Sequence, residues 1–353
     1  METKTIFVSI ASYRDRLCHE TINSLFHHAK YPSNIYVGIC QQNKTELKEE
    51  DCVVVDSSFN HFGNNIRLLT VSYQEAKGPT YARFLCSLLY KGEDFFLQID
   101  SHSLFVQDWD QKCIEMIIQL EKQGVKKPIL SHYPASFDHY KENPSKTSMV
   151  PHIIHTFVNP QGIISFKGAL MKKPKSSPTK TYYIAGGFLF SRGMLLNEVP
   201  FDPFLPNLFV GEEILLTVRA FTSGYDVYTP NQNIVYHYYT RKKEPKFWDD
   251  HKNMNTKDVI LKTKIILGLE NDKEKIATDS IKSSIQHYGL GTERSLEEFY
   301  KETGIQVKKN IESFCTLDNI HNQNSSAIIL VFCMVLIFFF FLFLVVCLLR
   351  FSL

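Results

Sequence analysis

The sequence carries almost no excess charge of either sign: 39 Lys and Arg stand against 37 Asp and Glu, a formal net charge of +2. That balance provides no global field toward nucleic acid, so no nucleic-acid partner is expected. The chain has no Walker sequence, no HExxH and no GxSxG, which removes the commonest NTPase, protease and esterase readings. No CxxC pair occurs. Cys18, Cys40, Cys52, Cys86, Cys113 and Cys315 are therefore expected to be buried thiols, as in a reducing compartment, rather than disulfides or zinc ligands. In such a compartment the sequons Asn43-Lys44-Thr45 and Asn324-Ser325-Ser326 go unused. There is no internal repeat, and METKTIFVSI lacks the basic start and long apolar stretch of a secretory signal.

Apolar residues, by contrast, are plentiful. From Ala327 to Leu349 the chain reads AIILVFCMVLIFFFFLFLVVCLL, without a charge. At ~1.5 Å per residue this covers about 34 Å, enough for the ~30 Å hydrocarbon core, and predicts a transmembrane helix. Only Arg350-Phe351-Ser352-Leu353 follow it. Insertion is then expected to be post-translational, giving a single-pass membrane protein with a C-terminal anchor and residues 1 to about 320 in the cytosol. Lys308, Lys309 and Arg350 are too few to decide orientation.

Strand and helix signals alternate over the first 130 residues. Apolar runs at Thr5–Ala11, Ile35–Cys40, Ile66–Val71, Phe95–Ile99 and Ile129–His132 predict strands. Helical spacing at Thr21–Ala29, Pro79–Tyr90 and Asp110–Gln123 predicts helices between them. Such alternation argues for an α/β fold with a mostly parallel, doubly wound central sheet, whose ligands sit at the carboxyl ends of strands. Residues 134–180, rich in Pro, Ser and Lys, read as a surface excursion with Ile153–Phe166 as an ordered piece. Residues 246–312 read as a helical extension, in which Ser295-x-x-Glu298 is a capping box.

Asp100-Ser101-His102 falls at one of those carboxyl ends. A turn explains it, because short polar side chains bond the local backbone. A divalent cation explains it too, since carboxylate oxygen and imidazole nitrogen suit one. His237, in IVYHYY, taken alone is more often a satisfied core residue, but Asp100 and His102 lack a third ligand and neutral imidazole can supply it. Glu212 and Glu213 after Gly211 either complement the dipole of the helix that follows or stand beside a ligand. Gly186-Gly187 fits a β-bend or close backbone approach to a substrate. Gly78, opening a helix before Pro79, could present N–H groups to an anion. Arg83 is a lone charge in an apolar helical stretch, which a half-exposed face would explain, and Arg241-Lys242-Lys243 is a solvated basic run or a phosphate contact.

Taken in order, FVSIASYRD (7–15), KGPTYAR (77–83), LQIDSH (97–102), IAGGFLFSR (184–192), GEEILLTVRAFTSGYD (211–226), VYHYYTR (235–241), FWDDH (247–251) and YGLGTERSLEEFYKETGI (288–305) resemble the GT-A-type glycosyltransferases with a DxH motif. The order is similar to that of the mucin-type polypeptide N-acetylgalactosaminyltransferases. It more closely resembles the cytoplasmic hydroxyproline-polypeptide N-acetylglucosaminyltransferases, which modify an adaptor subunit of SCF ubiquitin ligases. Phe209-Val210 precedes Gly-Glu-Glu where the mucin-type enzymes have Trp-Gly, and the C-terminal span is not a feature of the cytoplasmic family.

The resemblance implies a GT-A-like, Rossmann-like catalytic domain over 1–245, a helical extension over 246–312, a linker over 313–326 and the transmembrane helix over 327–349. It implies that Asp100, His102 and His237 hold Mn²⁺ or Mg²⁺ against the diphosphate of a UDP-sugar, the metal acting as a Lewis acid. Ser9, Ala11 and Arg14 would line the uridine site, with Gly78, Arg83 and Arg241 beside the nucleotide. Gly186 and Gly187 would meet the sugar, Glu212 the sugar and Glu213 the acceptor. The implied reaction is retaining transfer of N-acetylglucosamine from UDP-GlcNAc to a hydroxyl, hydroxyproline included, of a cytosolic protein acceptor. The alternatives are an inactive tail-anchored scaffold and a transferase with a lipid or glycan acceptor.

Overall fold

The first apolar runs form strands that lie edge to edge. β1 (Ile6–Tyr13), β2 (Ile35–Asn43) and β3 (Ile66–Ser72) are parallel, with Ile6 opposite Ile35 and Val37 opposite Ile66. β4 (Phe95–Asp100) pairs with the other edge of β1, again parallel, and sets Ala11 opposite Asp100. α1 (Cys18–His27), α2 (Gly78–Ser87) and α3 (Trp109–Lys122) lie between strands in the chain, as their spacing predicts. The computed structural model describes residues 4–54, 60–138, 149–168, 170–173, 175–241, 244–270 and 277–307. The expected linker, the expected transmembrane segment, Cys315 and residues 308–312 of the expected extension lie outside these. Among the described residues no helix is long and apolar enough to cross a membrane.

β5 (Ser103–Phe105) lies just upstream of α3, and β6 (Pro128–Ser131) and β7 (Ala135–Ser136) follow it. The region expected as a surface excursion builds two small antiparallel ladders, one of them within the ordered piece expected at Ile153–Phe166. β8 (Val150–His152) pairs with β11 (Leu170–Lys172), and β9 (Thr156–Val158) with β10 (Ile164–Phe166). Ile153, Ile163 and Ile164 are fully buried there, so apolar burial outweighs the polar composition around them. The remaining strands are β12 (Thr179–Thr181), β13 (Phe188–Arg192), β14 (Asp226–Thr229) and β15 (Val235–His237).

The main sheet has the order β12-β14-β6-β13-β4-β1-β2-β3. β1, β2, β3, β4, β6 and β14 run one way, and β13 and β12 run against them. The sheet is thus mixed rather than fully parallel. The reversal matters for the site: β13 starts where β4 ends, with Phe188 opposite Ile99, so Gly186 and Gly187 arrive beside Asp100.

Both faces of the sheet are covered, so its inner strands are apolar at successive positions. Val8, Ile10, Leu97 and Ile99 pack with Ile22 and Leu25 of α1 and Trp109 and Ile117 of α3. The alternate residues Phe7 and Phe96 face the other way, toward Leu216 and Ala220. Those two belong to α5 (Glu212–Thr222), which follows a single turn, α4 (Leu195–Glu198). Beyond the short α6 (Phe247–Asp250), α7 (Lys257–Ile266), α8 (Asp279–Tyr288) and α9 (Leu296–Thr303) form the helical extension. Ser295 and Glu298 make the expected capping box at the start of α9. The extension docks through Val259, Ile266 and Phe299 onto Ile214 and Phe221 of α5.

Candidate active site

Asp100 is the last residue of β4, and Ser103 Oγ donates to its carbonyl at 2.9 Å, so Asp-Ser-His does form a turn. The turn also aims side chains. β5 leaves it and pairs antiparallel with β15, setting His237 opposite Ser103, while Tyr238 N–H donates to the His102 carbonyl at 3.1 Å. This register brings the rings of His102 and His237 to a centroid separation of 4.5 Å. His237 Nε2 lies 3.1 Å from Asp100 Oδ2. One ligand atom from each of Asp100, His102 and His237 falls within 4.8 Å of the others. One carboxylate oxygen and two imidazole nitrogens form a donor set that suits a divalent cation.

The electrostatics keep that set available. Burial works to raise the Asp100 carboxyl, but the His237 hydrogen bond and the charge of Arg83 reverse this and hold it well below the carboxylate range. Asp15, fully buried, accepts from His102 Nδ1 at 2.7 Å and from Ser101 Oγ at 2.6 Å. A ring fixed through Nδ1 presents Nε2 outward, the arrangement of histidines oriented by a carboxylate behind them. Burial raises the Asp15 carboxyl too, yet the His102 hydrogen bond, followed by Arg241 and Ser101, leaves it lowered. His237 Nδ1 is buried with no hydrogen-bond partner.

Arg83 reaches this centre from α2. Its Nη2 donates to Asp100 Oδ1 and to the Gly186 carbonyl, both at 3.0 Å, and its Nη1 pairs with Glu212. Burial opposes its charge, but Glu212 and Asp100 outweigh burial and raise its pKa. Glu213 turns the other way, accepting from the Gly186 N–H at 2.8 Å and the Tyr133 hydroxyl at 2.7 Å. A Cβ on Gly186 would meet Arg83 Nη1 at 3.0 Å, and one on Gly187 would meet Asp100 Oδ2 at 3.0 Å. Close packing, not backbone conformation, makes these two positions glycine.

Two cavities open on either side of the centre and share Pro79, Asp100, Phe209, His237 and Tyr239 as a common wall. The smaller, about 380 Å³, is lined by Ala11, Tyr13, Gln42, Gly78 and Arg241 among others. The larger, about 580 Å³, takes in Arg83, Gly186, Gly187, Glu212 and Glu213. Gly78 has φ +84°, and a Cβ there would meet Asn207 Cα at 3.3 Å. Gly211, which opens α5, has φ +109° and lies against Thr263 of α7.

Two of the residues expected at the uridine line neither cavity. Ser9 shares the α2-facing side of β1 with Ala11, but one step deeper; it is fully buried and lines neither cavity. Arg14 turns to Glu50 at 3.0 Å and Asp250 at 2.9 Å, and it lines neither cavity. Arg83 is engaged by two carboxylates and a carbonyl. Arg241 lies 3.4 Å from Asp15 Oδ2, while its Nε and Nη2 are buried without hydrogen-bond partners. Residues missed by sequence reasoning are Asp15, Tyr133, Tyr239 and the Phe209–Trp248 pair, whose exposed rings meet edge-on at 5.2 Å. Asp15 lay within FVSIASYRD and Trp248 within FWDDH, so the motifs were visible although the roles were not.

A family model described as Glycosyltransferase (GlcNAc) matches residues 5–59 and 46–309. No curated protein matches the chain. Among solved structures, GalNAc-T7 with UDP, GalNAc and Mn²⁺ is 13% identical, with a TM-score of 0.57 over 86% of this chain. The chain spans 58% of the length of that structure, and the likeness establishes a shared fold. S. aureus TarS 1–349 in complex with UDP-GlcNAc is 13% identical, with a TM-score of 0.45 over 80% of this chain and 71% of that one.

Proposed function

The chain belongs to the glycosyltransferase (GlcNAc) family, and on that basis we propose that it moves N-acetylglucosamine from UDP-GlcNAc to a hydroxyl of a protein acceptor with the help of Mn²⁺ or Mg²⁺. The observation that carries the reading is the convergence of Asp100, His102 and His237, ligand atoms within 4.8 Å, on the wall between two cavities. The smaller cavity fits the uridine, with the ends of β1 and β2 as its floor. Arg241, which lines the smaller cavity beside Asp15, is the natural contact for the diphosphate. The larger cavity fits the sugar and the acceptor.

Asp100, His102 and His237 would hold the metal, and Asp15 would keep His102 turned toward it. When bound, such an ion offsets charge on the departing diphosphate as a Lewis acid. Arg83 helps to keep Asp100 ionised and holds Glu212 in place. Glu212 would meet the sugar and Glu213 the acceptor hydroxyl. In a retaining transfer the C1–O bond to the β-phosphate breaks and a C1–O bond to the acceptor forms on the same face. The acceptor proton passes to the departing phosphate oxygen, so no general base opposite the sugar is required.

Cys18, Cys40, Cys52, Cys86 and Cys113 are buried free thiols, which favours a reducing compartment and a cytosolic acceptor. The acceptor that the resemblance implies is an SCF adaptor bearing hydroxyproline. Phe209, Trp248 and Tyr239 at the cavity mouths offer aromatic faces to a polypeptide ring or to a sugar. Calorimetry of UDP with the full chain, with and without Mn²⁺, tests the reading alongside UDP release from UDP-GlcNAc. Metal-linked binding that Asp100→Ala abolishes supports it. Metal-independent binding, or turnover unchanged in Asp100→Ala, overturns it in favour of a scaffold or a different site.

A further inference from the structure

The Gly186 peptide is held at both ends. Its carbonyl accepts from Gln98 Nε2 at 2.8 Å and Arg83 Nη2 at 3.0 Å, reaching it from β4 and α2. Its N–H donates to Glu213 Oε1 at 2.8 Å. Glu213 stands in the first turn of α5, where a carboxylate can equally cap its own helix or move away from the neighbouring Glu212. Both of its oxygens accept instead from groups outside the helix. Its second oxygen, Oε2, is held by the Tyr133 hydroxyl at 2.7 Å. Tyr133 follows β6, and its ring packs against the cluster that contains Ile214 and Ala185. Tyr133 lines the larger cavity and not the smaller one.

We propose that Tyr133 is a positioning residue for sugar transfer: its hydroxyl pins Glu213 Oε2, which keeps Oε1 on the Gly186 amide and fixes the Gly186–Gly187 floor of the sugar side. The inference rests on the transferase reading above. Little slack exists in that floor, because Gly187 already lies against Asp100 and Gly186 against Arg83. A small outward shift of the peptide would therefore move both the donor contact and the carboxylate at the metal position. The smaller cavity, where the uridine fits, has no direct contact with this clamp.

Tyr133→Phe in the full chain keeps the packed ring and removes only the donor. The expected result is a fall in kcat of about ten- to a hundredfold, the scale of one hydrogen bond to a charged group. The Kd for UDP without metal stays unchanged. In a Glu213→Ala background the same substitution adds nothing further, because both act through one contact. The Gly186 amide gives a readout independent of turnover. With glycine isotope-labelled at nitrogen, its resonance should move in both Tyr133→Phe and Glu213→Ala. A stationary Gly186 signal, an unchanged kcat, or losses that simply multiply in the double variant each overturn the proposal. A moving Gly186 signal in a chain that releases no UDP from UDP-GlcNAc overturns the transferase reading and leaves the Tyr133 contact standing.

Discussion

Asp15 Oδ2 lies 2.7 Å from His102 Nδ1, and that contact decides which ring nitrogen of His102 faces the metal position. Asp15 also accepts from the Leu17 N–H through Oδ1 at 3.1 Å, at the start of α1. Asp15→Asn can retain the second bond while weakening the first. Mn²⁺ affinity in the presence of UDP should fall about ten- to a hundredfold, as for other carboxylates behind a ligating histidine. Titration calorimetry on both chains measures it. Equal affinities would mean that something other than Asp15 orients the ring.

Gly187 offers a way to disturb the centre without altering a ligand. A methyl group there would meet Asp100 Oδ2 at 3.0 Å, and Pro134 closes the other side at 3.5 Å. The carboxylate would have to shift by a few tenths of an ångström. Gly187→Ala should therefore lower metal-linked UDP binding several-fold while leaving UDP binding without metal unchanged. Loss of both together would point to a disturbed uridine pocket instead.

How much of this could be read from the chain depends on range. The strands β1, β2, β3 and β4 announce themselves as apolar runs, and the α9 capping box stands in four consecutive residues. Asp100-Ser101-His102 is local as well, and its place at a strand end follows from the pattern around it. The third member of the cluster, His237, was picked out only because two ligands need another; the β5–β15 register that delivers it leaves no mark in IVYHYY. The reversed β13 is equally silent, since FLFSR reads the same in either direction. Arg83 looked odd in an apolar helix, and its oddity was the signal: a buried guanidinium needs carboxylates, here Asp100 and Glu212. Asp15 and Tyr133 meet partners 87 and 80 residues away along the chain, a range at which composition and periodicity say nothing.

The Arg83 bridge makes a prediction about stability. Its side chain is almost fully buried and pairs with the buried Glu212 as well as Asp100. Arg83→Met leaves those carboxylates close together without their cation, an error that typically costs about 3–5 kcal/mol. Arg83→Lys keeps the charge but cannot reach two carboxylates and a carbonyl at once, so it should recover only part of the loss. Urea denaturation of the full chain, followed by circular dichroism, orders the three. Equal midpoints for wild type and Arg83→Met would remove the bridge from the list of structural contacts.

Glu213 makes stability depend on pH, with a sign that can be worked out. Burial, and then the charge of Glu212, push its carboxyl from 4.5 up to about 7, although the Gly186 N–H, Tyr133 and Arg83 pull against them. Between those two values the folded chain holds a proton that the unfolded chain has released. Folding free energy contributed by this group is therefore fully present below about pH 4.5, lost as pH rises through 7, and stays lost above it. The loss is on the order of 3 kcal/mol. Glu213→Gln is neutral throughout, and its altered hydrogen bonds are the same at every pH. Subtracting wild type from Glu213→Gln at pH 5 and again at pH 8 therefore isolates the proton. The variant should gain on wild type between the two measurements, read as a rise in its relative urea midpoint. A difference that does not change with pH would mean that Glu213 is ionised across the whole window, and that its two donors outweigh its burial.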